Sequence, residues 1–257
     1  RKGLDSSAGG APSPIMPDGR IFSLPIPQKE KSPNRYKNLQ FDEFNGTELL
    51  KSFKSKIKPN DFCHYDPRLN QKIGIFGQAN AAQSELDNLE VQIGDLFLFF
   101  GWFRNADMKG TDLHHLFGWL QIDEIIKGEK DIKNYLKLKK LDHPHGFEDV
   151  TRYKNNTLFI GANQLTLNRR KTFKRGHGLF KKTHRDLILT EKNKTRSNWQ
   201  FPNEFKNSQN LFMNRLQWSD PKKVKLSYKG YGQEFVLNAE ANPKIASWAF
   251  KLIHKHG

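Results

Sequence analysis

The sequence predicts a single α+β domain with a β-rich, aromatic core and peripheral helices. Composition is the first observation: 20 Phe and 5 Trp among 257 residues supply a packed core, although only 36% of the chain is hydrophobic. The second is an unbroken apolar run at 96–100, LFLFF, bounded by Gly94 and Gly101. A run that short and aromatic predicts a strand buried on both faces. No internal repeat or linker divides residues 1–257, so we expect one folding unit.

A second apolar run, over 116–122, predicts an antiparallel hairpin with the first, joined by a polar connection at 105–112. The first run continues through Gly101 to Arg104, so Gly101 and Gly118 both lie inside predicted strands, where glycine marks a bulge or a close backbone approach. Aromatic strands with such gaps suit a pocket for a flat ligand, and the alternative is a plain β-rich core. The order of turn, apolar strand and G-x-L-x-I strand is similar to the small PUA, ASCH and EVE barrels, which bind nucleic acid or modified bases.

Charge and cysteine content limit the class of protein. The net charge is +16, from 43 Lys and Arg against 27 Asp and Glu, which favours a polyanion partner, nucleic acid above all. The alternative is the Lys- and Asn-rich usage of an AT-rich genome. The single cysteine, Cys63, excludes a disulfide framework and a cysteine zinc site. No apolar stretch reaches the roughly 18 residues of a membrane span, and no secretory signal is evident, so we expect a cytoplasmic protein.

The opening segment holds half of the twelve prolines within its first 33 residues, which is typical of a flexible tail. Its small residues also suit a phosphate or sugar-phosphate site, because backbone N–H groups can approach an anion there. The groups that would hold the phosphate are Arg1, Lys2, Ser6 and Ser7, with Asp5 as a neighbouring carboxylate. Asp18-Gly19 predicts a turn, followed by a short strand over 21–24 that pairs with Ile15.

Two helices are predicted next. Apolar residues at helical spacing within 41–58 predict a helix that Asn45 or Thr47 caps and Pro59 ends. Residues 77–86 predict a small-residue turn that enters a second helix. The amides of Gln78 and Gln83 could bond a base edge or ribose there, and the alternative is an ordinary polar helix face.

His64 and Asp66 are two residues apart, so on a strand they share a face. A histidine held by a carboxylate can act as a general base, and the alternative is an exposed histidine in a turn. Cys63 is either a nucleophile or, more commonly, a buried apolar residue.

The other histidines give no metal motif. His114 and His115 are adjacent and would point to opposite faces of a strand. His143 and His145 are spaced for one face, but no third ligand stands nearby in the sequence. We therefore predict no metal site, and no cofactor is evident.

Residues 165–200 hold the strongest basic cluster, in which Phe173, Phe180 and Trp199 are interleaved. Cations with aromatics between them fit phosphate neutralisation plus base stacking, and the alternative is a charged surface without a ligand. The predicted nucleic-acid-binding residues are Arg169, Arg170, Lys171, Lys174, Arg175, Lys181 and Lys182. A final helix is predicted over 243–256.

Several blocks resemble the third nucleotide modification associated domain family. They are RKGxDSSxGGxPSPIxPDGRxxSLPIP, His64 to Pro67, FGQANAAQSEL, GDLFLFFGWFR with GWLQI, SNWQFP and GQEFV. The resemblance spans nearly the whole chain and implies modification of nucleotides or DNA bases, chiefly in phages and bacteria. It implies a pathway more than a reaction.

Three functions follow as hypotheses. The first is a nucleotide- or DNA-base-modifying enzyme, with Asp5 or the His64 and Asp66 pair as acid–base groups. Trp102 and Arg104 would line its base pocket, which Trp199 either closes or supports from the core. The second is a non-catalytic module that reads a modified base. The third is a basic protein that binds DNA without base discrimination.

Overall fold

The computed structural model describes residues 11–52, 55–107, 109–147, 153–167, 170–208, 211–212, 216–228 and 235–257. The sequence-predicted residues that lie outside these ranges are Arg1, Lys2, Asp5, Ser6, Ser7 and Arg169. The helices of the described residues are α1 (Gly46–Lys51), α2 (Asn80–Asn88), α3 (Glu129–Lys139) and α4 (Pro243–His256).

The strands, in chain order, are β1 (Ser13–Ile15), β2 (Ile26–Gln28), β3 (Asn34–Arg35), β4 (Gln40–Phe41), β5 (Phe44–Asn45), β6 (Phe62–His64), β7 (Ile75–Gln78), β8 (Leu96–Asn105), β9 (Leu113–Lys127), β10 (Thr157–Gly161), β11 (Thr166–Leu167), β12 (Arg170–Lys171), β13 (His177–Leu179), β14 (Asn198–Gln200), β15 (Leu211–Phe212), β16 (Leu216–Asp220), β17 (Lys225–Tyr228) and β18 (Val236–Leu237).

The main sheet has the order β1-β8-β9-β10-β7, and β13 also pairs with β9. Strands β8 and β9 form the predicted antiparallel hairpin. Strand β9 is 15 residues long and pairs with β8 through its first part and with β10 through its second. The sheet curls into a half-barrel, which confirms the α+β prediction with its β-rich aromatic core.

A bulge interrupts the hairpin beside Gly118. Phe99 faces Gly118, but the next residue, Phe100, faces Leu116, so Phe117 is the extra residue. A Cβ on Gly118 would lie 2.7 Å from the carbonyl oxygen of Gly178. The prediction of a bulge and a close backbone approach is therefore confirmed at Gly118.

Aromatic rings fill the concave side of this sheet. The ring of Phe76 lies 5.0 Å from that of Phe97 and 5.1 Å from that of Phe99, edge to face in both pairs. Phe159 stacks on Phe76 from the neighbouring strand β10. On the other side of the sheet, Ile126 and Leu158 pack in a separate cluster with α3.

Two predicted elements are shorter than expected. Helix α1 begins after Asn45, whose side chain forms a capping box with Glu48 as predicted, but it ends at Lys51 and not near Pro59. Its last turn closes at Ser52, whose hydroxyl donates to Leu49 O. The predicted strand over 21–24 is reduced to a bridge between Ile15 and Ile21. Phe22 N still donates to Pro14 O, but Leu24 N donates to a side chain, Ser13 Oγ.

Within the part of the chain that the structure describes, every helix is too short or too polar to cross a membrane.

His115 makes the fold sensitive to acid. It is fully buried on β9, and its Nε2 lies 2.9 Å from Thr183 Oγ1. Burial lowers the pKa of His115 from 6.5 to about 4, although the bond from its Nδ1 to Leu116 O opposes the shift. Between these pH values the unfolded chain binds a proton on His115 that the folded chain does not.

We expect the free energy of unfolding to be unaffected by His115 above about pH 6.5 and to fall as the pH is lowered to about 4. The loss from His115 alone is on the order of 3 kcal/mol. The variant His115→Gln lacks the titrating ring and should lose less stability over this range. Urea unfolding of both proteins at successive pH values measures the difference, and parallel curves would contradict the assignment.

Candidate functional site

Four polar side chains from two distant parts of the chain meet in what we call the histidine–aspartate cluster, which comprises His64, Asp66, His143 and His145. His64 ends strand β6, and Asp66 follows it in the next turn of chain. His143 and His145 come from a single 3-10 turn after α3. The predicted proximity of His64 and Asp66 is found, with 3.7 Å between His64 Nε2 and Asp66 Oδ2.

The carboxylate of Asp66 presents different neighbours on its two oxygens. Oδ1 accepts a hydrogen bond of 2.8 Å from the backbone N–H of Gly77 and lies 3.3 Å from His143 Nε2. Oδ2 faces His64. Because the side chains of Asp66 and His143 are both fully buried, this orientation is fixed by the fold.

The hydrogen bonds of the cluster determine the tautomers of two histidines. His145 Nδ1 lies 2.6 Å from Asn156 Oδ1, and the Asn156 amide is oriented by its own bond to His145 O. His64 Nδ1 lies 3.3 Å from Gln28 Oε1, and Gln28 is oriented by a bond from its Nε2 to Lys31 O. Each Nδ1 therefore carries the proton, and each Nε2 presents a lone pair.

Burial controls the charge of the cluster. It lowers the pKa of His143, although Asp66 opposes the shift, and it lowers the pKa of His145 well below the usual value for the same reason. Both imidazoles are therefore neutral at pH 7. Burial also raises the pKa of the Cys63 thiol to about 12, so Cys63 is a buried thiol and not a nucleophile.

The structure places the predicted amides inside the fold. Gln83 is only 1% exposed, and its Nε2 donates to Asp87 Oδ1. Gln78 is buried at the end of β7, where its Oε1 accepts from Ala79 N. The first N–H of α2, on Asn80, donates to Lys154 O and so faces protein. Ligand contact by Gln78 and Gln83 stays a prediction.

The predicted base-pocket residues are divided between core and surface. Trp199 is buried and donates from Nε1 to His114 Nδ1 at 2.8 Å. Trp102 is half-buried under the guanidinium of Arg196, whose Cζ lies 4.2 Å from the ring centroid. Arg104 Nε lies 3.1 Å from Asp112 Oδ1. Their role toward a base stays a prediction.

A cavity of about 580 Å³ lies between the aromatic side of the sheet and helix α4. Phe97 and Phe99 line it from the main sheet, Trp199 from strand β14 and Trp248 from the helix. Phe76 also lines it, whereas its neighbour Gly77 faces His145 on the other side of the strand. The cavity and the histidine–aspartate cluster therefore lie on opposite faces of β7.

The basic segment is exposed, but its aromatic residues are not all available. Lys171, Arg175, Lys181 and Lys182 are exposed, and Lys174 is partly so. Phe173 is fully exposed. Phe180 and Trp199 are buried in the core. The expectation of base stacking is therefore wrong for Phe180, whereas a core position was one of the two alternatives predicted for Trp199. Lys174 donates to Gly257 O, which ties this segment to the end of α4.

A second histidine group lies at the surface, where His184, Asp186 and His256 meet. Asp186 Oδ2 accepts from Lys255 Nζ at 2.8 Å and from His256 Nε2 at 3.0 Å. These bonds lower the pKa of Asp186 to about 2. The arrangement is an ion-paired contact that attaches the C-terminal turn of α4 to the basic segment.

Sequence reasoning missed the partners of the cluster, because they come from distant parts of the chain. His143 and His145 were correctly placed on one face but were expected to lack further ligands. The groups that join them, His64 and Asp66, precede them by the whole of the hairpin and α3. Gly77, within the FGQANAAQSEL block, is the sequence signal that could have indicated a close approach at this point of the fold.

We expect Gly77→Ala to damage this site, because a Cβ at position 77 would lie 2.4 Å from His145 Cδ2. The variant should lower the free energy of unfolding by about 1–3 kcal/mol, as overpacking of a core does. Denaturant unfolding of Gly77→Ala, His145→Ala and the double variant measures the coupling. The double variant should lose less than the sum of the single losses, whereas additive losses would argue against a steric origin.

One comparison with known proteins gives a match. The family model described as nucleotide modification associated domain 3 covers residues 1–238. Neither the curated proteins nor the solved structures contain a match, so the likeness to PUA, ASCH and EVE barrels stays a prediction. Since the match extends over most of the chain, as the sequence blocks predicted, this protein belongs to the nucleotide modification associated domain 3 family.

Proposed function

We propose that this protein is an enzyme that modifies a nucleotide or a DNA base, with the histidine–aspartate cluster as its chemical centre. The family description supports a role in nucleotide modification. The observation that carries the proposal is the convergence of His64, Asp66 and His145, whose ligand atoms lie within 4.8 Å of one another. Burial of such groups costs stability, and groups with perturbed pKa values concentrate where chemistry occurs.

The cluster can supply acid–base chemistry at neutral pH. His145 is neutral, and its Nε2 lone pair can accept a proton from a hydroxyl, an amine or a water. Asp66 stabilises the imidazolium that such a transfer creates, because its carboxylate is held close by and cannot turn away. In this proposal Asp66 keeps its predicted role as the carboxylate that holds a histidine base, whereas His145 takes the role of base that was predicted for His64.

The basic segment supports DNA as the substrate or its carrier. Exposed cations at Lys171, Arg175, Lys181 and Lys182 suit the neutralisation of consecutive phosphates. Phe173 projects among them with its whole ring accessible, as a stacking platform for an unpaired base would. A free nucleotide is the alternative substrate, because the acid–base chemistry of the cluster does not depend on whether the substrate is a polynucleotide.

The cavity beside α4 favours a second candidate, a module that reads a modified base without changing it. Its volume of about 580 Å³ falls within the range of small-molecule sites, and its Phe and Trp lining suits a flat ring. This function would use the aromatic face of the sheet and leave the cluster as a structural element.

We expect DNA from cells that express the protein to contain a nucleoside of new mass that is absent with Asp66→Asn. Asparagine keeps an acceptor for Gly77 N–H but removes the negative charge. Mass spectrometry of completely digested DNA is the measurement. As a control, His256→Gln changes an exposed contact away from the cluster and should leave the new nucleoside in place.

An unchanged nucleoside profile with the wild-type protein would contradict enzymatic action on DNA. If that protein also bound modified DNA more tightly than plain DNA, the result would support the reading module.

For the basic segment, we expect Lys181→Ala and Lys182→Ala to weaken DNA binding. The slope of the logarithm of the binding constant against the logarithm of the salt concentration should fall by about one unit for each lost phosphate contact. Phe173→Ala should weaken binding of single-stranded DNA by about 1–3 kcal/mol without changing the slope. Lys130→Ala and Lys137→Ala, on exposed positions of α3, serve as charge-matched controls. Fluorescence anisotropy over a salt series makes the comparison, and equal effects of both lysine pairs would argue against a localised interface.

A further inference from the structure

We propose that the histidine–aspartate cluster binds one divalent transition-metal ion through His64 Nε2, Asp66 Oδ2 and His145 Nε2. These residues form a group whose ligand atoms all lie within 4.8 Å of one another. The inference rests on the proposed function only for the catalytic use of the ion, because binding can be measured without a substrate.

The tautomers of the two histidines carry the argument. Gln28 and Asn156 fix the proton of each ring on Nδ1, so each Nε2 keeps a lone pair. His64 Nε2 lies 3.7 Å from Asp66 Oδ2. His145 Nε2 would lie 2.7 Å from a Cβ on Gly77, whose N–H binds Asp66 Oδ1, so it lies on the same side as the carboxylate. A carboxylate also presents only lone pairs. Two imidazole lone pairs and a carboxylate form a donor set that a divalent transition-metal ion coordinates.

The distances suit a shared ion better than a hydrogen bond. His64 Nε2 and Asp66 Oδ2 are 3.7 Å apart, beyond the range of a hydrogen bond. Two ligands about 2.1 Å from one tetrahedral ion lie about 3.4 Å from each other. The observed pair is close to that separation.

The surroundings of the three ligands resemble the outer shell of a metal site. Each ligating histidine bonds an amide oxygen through its other ring nitrogen, the arrangement that orients metal-bound imidazoles. Asp66 Oδ1 is held by Gly77 N–H, which directs Oδ2 to the group. His143 Nδ1 accepts from His145 N–H, so its Nε2 carries the proton, and this fully buried atom lies 3.3 Å from that same Oδ1.

The donor set indicates the class of ion. Two imidazoles and one carboxylate suit zinc, iron or a neighbouring divalent metal, and not magnesium or calcium, which prefer oxygen ligands. Water bound to such an ion loses a proton near neutral pH, so it would replace His145 as the source of a base or nucleophile.

The test is titration of metal-free protein with Zn²⁺ by calorimetry and with Co²⁺ by absorbance. We expect about one tight ion per chain in the wild type. His64→Gln and Asp66→Asn should each weaken binding by about a hundredfold or more. His64 is partly exposed, so its variant is expected to fold even if a change at a fully buried ligand does not.

The surface group at Asp186 supplies the control. His256→Gln removes one of its possible ligands and should leave the tight site unchanged, because Lys255 already occupies that carboxylate. Failure of the wild type to bind Zn²⁺ saturably would overturn the proposal. Loss of the tight ion in His256→Gln, with retention in His64→Gln, would overturn it equally.

Gln28 provides a positioning test. Gln28→Leu removes the acceptor for His64 Nδ1–H and should lower Zn²⁺ affinity by about 10–100-fold at unchanged stoichiometry. Gln28→Glu keeps an acceptor and should restore the affinity. Wild-type affinity in the Leu variant would contradict the tautomer argument on which the proposal stands.

The metal site and the proposed function can fail separately. Tight Zn²⁺ binding at His64 with unchanged DNA nucleosides would support the site and remove the proposed action on DNA. If metal-free protein modified DNA as well as the metal-loaded protein, the result would overturn a catalytic role for the ion but would still support the proposed enzymatic activity.

Discussion

The buried guanidinium of Arg68 joins the chain segments on which the histidine–aspartate cluster depends. Its Nη1 donates to Asp142 Oδ1 at 3.0 Å and its Nη2 to Asn34 Oδ1 at 2.7 Å. Asp142 directly precedes His143, and Asn34 lies in β3, which pairs with the strand that ends at His64. Burial acts to raise the pKa of Asp142, but the bond and charge of Arg68 hold it below its usual value. A planar guanidinium can hold two segments at a fixed angle, which an ammonium cannot.

Strand β7 separates the histidine–aspartate cluster on one of its faces from the aromatic cavity on the other. The segment after Asp66 attaches to β7 through paired backbone bonds between Arg68 and Ile75, of 2.8 and 2.9 Å. Because successive side chains alternate, Phe76 points into the aromatic cavity and Gly77 leaves space for His145 on the other face. A base stacked in the cavity is therefore separated from the cluster by the strand. If both sites are used, they serve different parts of a ligand or different ligands.

The sequence was informative where function depends on local geometry. Helix α4 spans Pro243–His256 as predicted, since Pro at the first turn and the apolar spacing are both local signals. The spacing of His64 and Asp66 likewise predicted their proximity. Spacing says nothing of contacts between distant segments, so the meeting of His64 with His145 and the role of Arg68 could not be read from it. Lysines next to an aromatic residue in the sequence do not show whether its ring is exposed. For this reason Phe180, which precedes Lys181 and Lys182, was wrongly predicted to lie at the surface.

The two histidine groups of this chain show why composition alone does not identify a site. At the surface, Lys255 and His256 direct N–H groups at the carboxylate of Asp186, so donors meet an acceptor and the contact is complete. In the buried cluster, backbone carbonyls orient two amides, the amides fix two imidazole tautomers, and the resulting lone pairs converge with a carboxylate. The fold thus decides which ring nitrogen of His64 and of His145 carries the proton of the neutral imidazole. Burying the polar groups of the histidine–aspartate cluster costs stability, and its lone pairs suit a bound cation or a proton that is transferred in a reaction. The group at Asp186 instead attaches helix α4 to the basic segment.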